Sequence, residues 1–261
     1  MLLYANGCSY TFGHGLTDRD ISADPDSWGS ARDLDYARSH SWPKLAADRL
    51  GWDCYNDALP GGSNDRIVRT TLSFLSRQHR QDLFVIIGWT RSARREIYFS
   101  ESDIYVDLSA LREVNIARLY RLLAVDNNEA ARMTDTVMRY GWDFIESHMR
   151  YCSQVLLLSS YLQQRRIPYL FCNTLGESSD TDSSWLSSRY SNDAGDLHRS
   201  INWNDFVSYD GSTDNVLHRF CQNLPDDQFD CTLHPTQAGH DAFAELVYRE
   251  ILSRRSVSNA H

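Results

Sequence analysis

Residues 82–88, DLFVIIG, constrain this chain more than any other stretch. From Leu83 to Ile87 the run is apolar without a break, so neither face is left for water. It is too short for a buried helix and lacks the alternation of a strand with one wet face. It reads as a strand of a parallel sheet covered on both sides, and such a strand needs parallel neighbours joined through helices.

The flanking sequence supplies both. Residues 2–6 (LLYAN), 52–58 (WDCYNDA) and 169–173 (YLFCN) read as further short strands bounded by polar residues or glycine. Between them, Ser41 stands ahead of a helical pattern that stops at Gly51. Ser63 or Asn64 is placed to cap a helix with Ile67, Val68, Leu72 and Leu75 on one face. Residues 109–164 are mostly helical in pattern, residues 180–196 read as a polar loop or part of a lid, and Phe243, Leu246, Val247, Ile251 and Leu252 mark a late packing helix. Strands alternating with helices predict a mostly parallel sheet with helices on both faces. A length of 261 residues suits one domain, residues 1–261, rather than two.

Charge narrows the partners. With 26 Lys and Arg against 35 Asp and Glu, the net charge of −9 opposes attraction to phosphate backbones or anionic membranes. A small-molecule substrate is expected, with no nucleic acid and no membrane. No apolar stretch approaches the roughly 18 residues of a membrane helix, and residues 1–7 do not form a secretory signal. The six cysteines are scattered and form no C-x-x-C pair, which suits free thiols in a cytoplasmic protein. The tightest Cys/His spacing joins Cys231 to His234, and the stretch holding Asp24 and Asp26 lacks the Gly and terminal Glu of a calcium loop. Neither a metal nor an organic cofactor is expected.

In parallel sheets, sites gather at the carboxyl ends of the strands. There the sequence places Gly7-Cys8-Ser9, then Gly61-Gly62-Ser63-Asn64, then Gly88-Trp89-Thr90, with Asp230 and His234 late in the chain. A serine hydroxyl is a weak nucleophile until an imidazole takes its proton, and a carboxylate can hold that imidazole in the right tautomer. Each residue also has a plainer reading. Ser9 suits a turn or a helix cap, the glycines suit tight strand exits, and Trp89 suits either core packing or a pocket wall. Arg91, Arg94 and Arg95 with Glu96 suit either an anion site or a salt-bridged helix start, and His14 suits a solvated loop.

In this order the blocks resemble the SGNH (GDSL-type) hydrolase superfamily, and over most of its length the chain is identified as a divergent member. The resemblance implies a three-layer α/β/α, flavodoxin-like fold with Ser9 as nucleophile, although Cys8 replaces the usual Asp and Tyr10 the frequent Leu. Asn56 through Gly61 matches the second block, with Gly61 as an oxyanion donor. Gly88-Trp89-Thr90 matches the third block's Gly-x-Asn with Thr for Asn, so the Thr90 hydroxyl or the Asn64 amide would complete the oxyanion site. Asp230 and His234 match the last block, spaced Asp-x-x-x-His where the family usually has Asp-x-x-His.

The implied activity is ester or acyl hydrolysis through a Ser9 acyl-enzyme, on a small acylated metabolite or sugar. Insertions at about 14–40, 91–140 and 176–203 would shape a lid. Acyl transfer to an acceptor other than water is the nearest alternative. A non-catalytic binding module on the same fold is the alternative from another class.

Overall fold

The computed structural model describes residues 1–18, 29–78, 80–108, 112–123, 125–141, 143–175, 191–224, 229 and 234–258. The chain runs β1 (Leu2–Gly7), the short helix α1 (Ser9–Phe12), α2 (Ala31–His40), α3 (Trp42–Leu50), β2 (Asp53–Asn56), α4 (Asn64–Arg77) and β3 (Leu83–Trp89). A hairpin of β4 (Arg95–Phe99) and β5 (Ile104–Leu108) follows, then α5 (Arg112–Leu123), α6 (Asn127–Gly141) and α7 (Phe144–Gln164). The rest is β6 (Tyr169–Asn173), α8 (Ser191–Ser200), α9 (Val216–Gln222) and α10 (Gln237–Ser258).

Four strands pair in the order β2-β1-β3-β6, and all the pairings are parallel. Every residue of β3 is buried, as its unbroken apolar run requires. Alternate residues then point to opposite faces. Leu3, Ala5, Phe84, Ile86 and Leu170 pack with Trp42 and Ala46 of α3 and with Phe243 and Val247 of α10. Tyr4, Val85, Ile87 and Phe171 pack with Ile67 and Leu75 of α4 and with Tyr151, Val155 and Leu158 of α7. Each large apolar side chain enclosed in this way contributes roughly 1.5–3 kcal/mol. Helices cover both faces of a parallel sheet, giving the three-layer α/β/α, flavodoxin-like arrangement.

The helix ends follow local chemistry. Ser63 caps α4 by accepting from the Arg66 amide at 3.2 Å, and α3 begins after Ser41 with Pro43 in its first turn. Gly51 closes α3 at φ +69°, a left-handed value that glycine adopts without strain.

Two stretches depart from the sequence reading. The arginine-rich stretch, for which a helix start was one of two readings, instead leads into β4, where Ile97, Tyr98 and Phe99 suit a strand and the Tyr98 and Tyr105 rings pair across the hairpin at 4.8 Å. The hairpin and the helices after it share a separate apolar cluster around Val106, Leu108, Leu119 and Ala130. Within the polar stretch 180–196, α8 starts at Ser191, and residues 180–190 lie outside the described residues, as does 19–28 of the first insertion. Among the described residues no helix is long and apolar enough to cross a membrane.

Candidate active site

The register of the sheet brings three strand ends together. Gly7 at the end of β1 lies opposite Gly88 of β3, and Gly88 lies opposite Cys172 of β6. The chain then turns at Cys8 into α1, whose first residue is Ser9, only 6% exposed. Two residues on, Thr11 sits directly against the two glycines. A Cβ on Gly7 would meet Thr11 Oγ1 at 2.3 Å, and one on Gly88 would meet it at 2.1 Å. Both glycines are required by this close approach of α1 to the sheet, which fixes how Ser9 is presented.

The second strand's exit is built around an amide. Gly61 turns the chain at φ +78°, the Gly62 amide donates to the Leu59 carbonyl at 2.9 Å, and α4 opens at Asn64. The Asn64 carboxamide is buried and engages the backbone of Thr90 in both directions. Its Nδ2 donates to the Thr90 carbonyl at 2.9 Å, and its Oδ1 accepts from the Thr90 amide at 3.0 Å. Thr90 is fully buried, and its own hydroxyl has no hydrogen-bond partner among the described residues. Asn64 therefore clasps the Thr90 backbone with its oxygen and one of the two hydrogens on Nδ2.

The β4–β5 hairpin reaches this same turn. Asp107 of β5 accepts from the Ser63 amide at 2.9 Å, burial raises its carboxyl pKa, and Arg94 donates to the Gly62 carbonyl at 3.4 Å. Arg95 pairs with Glu146, and Arg69 holds Glu96 at 2.6 Å. Arg91 and Arg94 have no carboxylate partner among the described residues. The four sequence neighbours thus divide: Arg95 and Glu96 brace the hairpin, whereas Arg91 and Arg94 act electrostatically on Tyr10.

Histidines from distant parts of the chain surround the residue after Ser9. The Tyr10 ring lies 5.3 Å from His234 and 6.5 Å from His218, and His14 lies 4.5 Å from His234, between ring centroids. Burial pushes the Tyr10 phenol up to about 12, with Arg91 and Arg94 pulling the other way. Burial also lowers His218, helped by the positive charge of Arg91. In the first turn of α10, His240 Nδ1 accepts from the Trp42 amide at 3.1 Å, which leaves the ring proton on Nε2 in the neutral form. Burial, with His234 nearby, pushes His240 down to about 3.

The expected site residues divide accordingly. Ser9, Gly61, Thr90 and His234 come from strand ends or loops at one edge of the sheet, and Asn64 stands beneath Thr90. Asp230 lies outside the described residues, as does Cys231. Trp89, read as either core packing or a pocket wall, packs in the core: it is fully buried, edge-on to Tyr151 at 5.9 Å and to Phe171 at 5.4 Å. Its position in the last residue of β3 turns it inward, between α7 and the sheet. Thr11, Tyr10 and His240 were not singled out from sequence as site residues. The glycines at two paired strand ends were the signal for Thr11.

Comparison with known proteins adds a family and a set of shapes. The model of the family described as "Family of unknown function (DUF6071)" matches residues 21–258. No curated protein matches the chain. Among solved structures, the chain is similar to the psychrotrophic esterase EstA from Pseudoalteromonas sp., at 11% identity over 98% of each chain with a TM-score of 0.48. It is also similar to an acetylxylan esterase from Geobacillus stearothermophilus, at 15% identity over 96% of this chain and 93% of that one, TM-score 0.42. A member of the lipolytic protein G-D-S-L family from Veillonella parvula shares 10% identity over 97% of this chain and 96% of that one, TM-score 0.41.

Proposed function

Because the chain belongs to the DUF6071 family, whose function is unknown, its chemistry must be read from its own residues, and we propose that it is a serine-dependent ester hydrolase. The observation that carries this reading is the contact between Tyr10 and His234 at 5.3 Å, which brings the late histidine to the residue beside Ser9. A hydroxyl and an imidazole at the carboxyl edge of a parallel sheet form the nucleophile and base of acyl transfer.

In the proposed reaction, Ser9 Oγ attacks the acyl carbon while His234 takes the hydroxyl proton. The carbonyl oxygen becomes an oxyanion, held by the Ser9 and Gly61 amides and by the Thr90 hydroxyl. Collapse breaks the bond to the leaving alcohol, which receives the proton from His234, and the acyl group stays on Ser9. Water, deprotonated by His234, then attacks the acyl carbon. The Ser9 Oγ–acyl bond breaks, Ser9 takes the proton back from His234, and the acid leaves. Asp230 is proposed as the carboxylate that orients His234. The clasp from Asn64 supports assigning the donor role to Thr90, since it holds Thr90's backbone while leaving the hydroxyl unspent.

The substrate class follows from charge. Arg91 and Arg94, which have no carboxylate partner among the described residues and whose charges act on Tyr10, suit a small acylated compound that carries an anionic group. The test needs no substrate. Treating the chain with a fluorophosphonate should add one phosphonyl mass to the native protein and none to Ser9→Ala. Labelling of Ser9→Ala at the native rate, with native cleavage of short aryl esters, would remove the assignment.

A further inference from the structure

The strongest unassigned chemistry lies on the opposite face of the sheet from α10. His148 and Cys152 stand one helical turn apart on α7, where their side chains share a face, and both are buried. His198 of α8 meets them. His148 Nε2 is 3.2 Å from His198 Nδ1 and 3.4 Å from Cys152 Sγ, and the three atoms all lie within 4.8 Å of one another. The cluster sits at the same edge of the sheet as Ser9, because Tyr151, next to Cys152, donates to Asn173 at the end of β6 at 2.7 Å.

We propose that His148, Cys152 and His198 bind a zinc ion that fastens α8 to α7. Zinc bonds of about 2.0–2.1 Å to nitrogen and 2.3 Å to sulfur give tetrahedral edges of about 3.3 Å between two nitrogens and about 3.6 Å between nitrogen and sulfur. The two short separations match these edges to about 0.2 Å. The Cys152–His198 separation, within 4.8 Å, must close toward the N–S edge of about 3.6 Å for one cation to bind both imidazoles and the thiolate together. The ligand set excludes magnesium and calcium, which take oxygen donors, and suits a borderline-soft metal. Three protein ligands leave a fourth position for water or an added ligand. Binding releases the Cys152 thiol proton to solvent, so affinity falls as pH falls.

The role is structural. α8 follows residues 176–190 in the insertion, and an ion shared between α7 and α8 would set where that helix stands at the carboxyl edge of the sheet. This proposal does not depend on Ser9 chemistry. Sequence spacing passed over the cluster because the tightest Cys/His pair in the chain, Cys231 with His234, lies elsewhere, and the third ligand, His198, is far along the chain from His148 and Cys152.

The test uses the full-length chain. After removal of bound metal, titration with zinc should reach one equivalent, and cobalt(II) should give a near-ultraviolet thiolate-to-cobalt charge-transfer band. Cys152→Ser should abolish that band. His198→Ala, at the least buried of the three positions, should weaken zinc by more than the roughly 10- to 100-fold cost of losing an outer-shell partner. Cys54→Ser, which alters a thiol outside the cluster, should keep both the band and the stoichiometry. Zinc should raise the melting temperature of the native chain and not that of His198→Ala. Failure to bind zinc at one equivalent, or a band and zinc-dependent melting retained in His198→Ala, would overturn the proposal.

Discussion

The Asn64 side chain holds the backbone of Thr90 from both sides, donating to its carbonyl at 2.9 Å and accepting from its amide at 3.0 Å. Asn64 opens α4 and Thr90 follows β3, so this one carboxamide ties the exits of two strands together. Asn64→Ala leaves a buried carbonyl and a buried amide without partners. Each unmet group costs about 1–3 kcal/mol, so the denaturant midpoint should fall clearly, and ester turnover should fall with it. A midpoint within error of the native chain would show that the clasp is dispensable.

Thr90 tests the other half of that arrangement. Its hydroxyl has no partner among the described residues, so Thr90→Val removes no hydrogen bond to any of them. If the hydroxyl serves the oxyanion, turnover falls roughly 10²- to 10³-fold while the unfolding midpoint stays close to native. Thr90→Ser should retain more activity. Native turnover in Thr90→Val would shift the donor role elsewhere.

Gly88 and Thr11 should be coupled, and Gly7 and Thr11 much less so. Gly88→Ala drives a methyl to 2.1 Å from Thr11 Oγ1, an overpacking expected to cost about 1–3 kcal/mol. Adding Thr11→Ala removes that oxygen, leaves Thr11 Cβ at 3.3 Å, and should recover part of the loss. At Gly7 the same rescue should fail, because Thr11 Cβ at 2.6 Å and the Gly88 carbonyl at 2.9 Å remain in the way. A double-mutant cycle in urea measures both.

His240 should make stability depend on pH in the acid range. Its folded pKa is pushed down to about 3, below the value of about 6.5 in an unfolded chain. The unfolded state therefore binds a proton that the native state refuses. Stability from this group is intact above about 6.5 and is lost as pH falls toward 3, by up to about 1.4 kcal/mol per pH unit. His240→Asn, which keeps an acceptor for the Trp42 amide, should flatten the slope of unfolding free energy between pH 6 and pH 4. These two pH limits are set at roughly the interval over which the group acts. An unchanged slope would assign the acid sensitivity to other groups.

Arg91 should read substrate charge. Arg91→Gln should raise KM about 10-fold, equivalent to about 1.4 kcal/mol, for an aryl ester carrying a carboxylate, and leave KM for a neutral ester of the same size unchanged. Equal effects on both esters would place Arg91 outside substrate recognition.

How much of this was legible in sequence depends on the distance over which each feature is decided. The buried strand β3, the start of α3 after Ser41, the Ser63 cap of α4, the glycine stop at Gly51 and the order of the strand-end blocks rest on neighbouring residues, and their periodicity and caps are written locally. The resemblance of those blocks pointed to Ser9, Gly61, Thr90 and His234 for the same reason. Trp89 was ambiguous because sequence shows that a residue ends a strand but not which face it turns to. The relationships that define the site are of another kind. Thr11 against Gly7 and Gly88, Asn64 around Thr90, and His198 against His148 and Cys152 join residues on different elements. Each exists only once parallel pairing has set the strands in register and the helices have packed on the two faces, because the free energy of those contacts depends on positions that no local stretch of chain specifies.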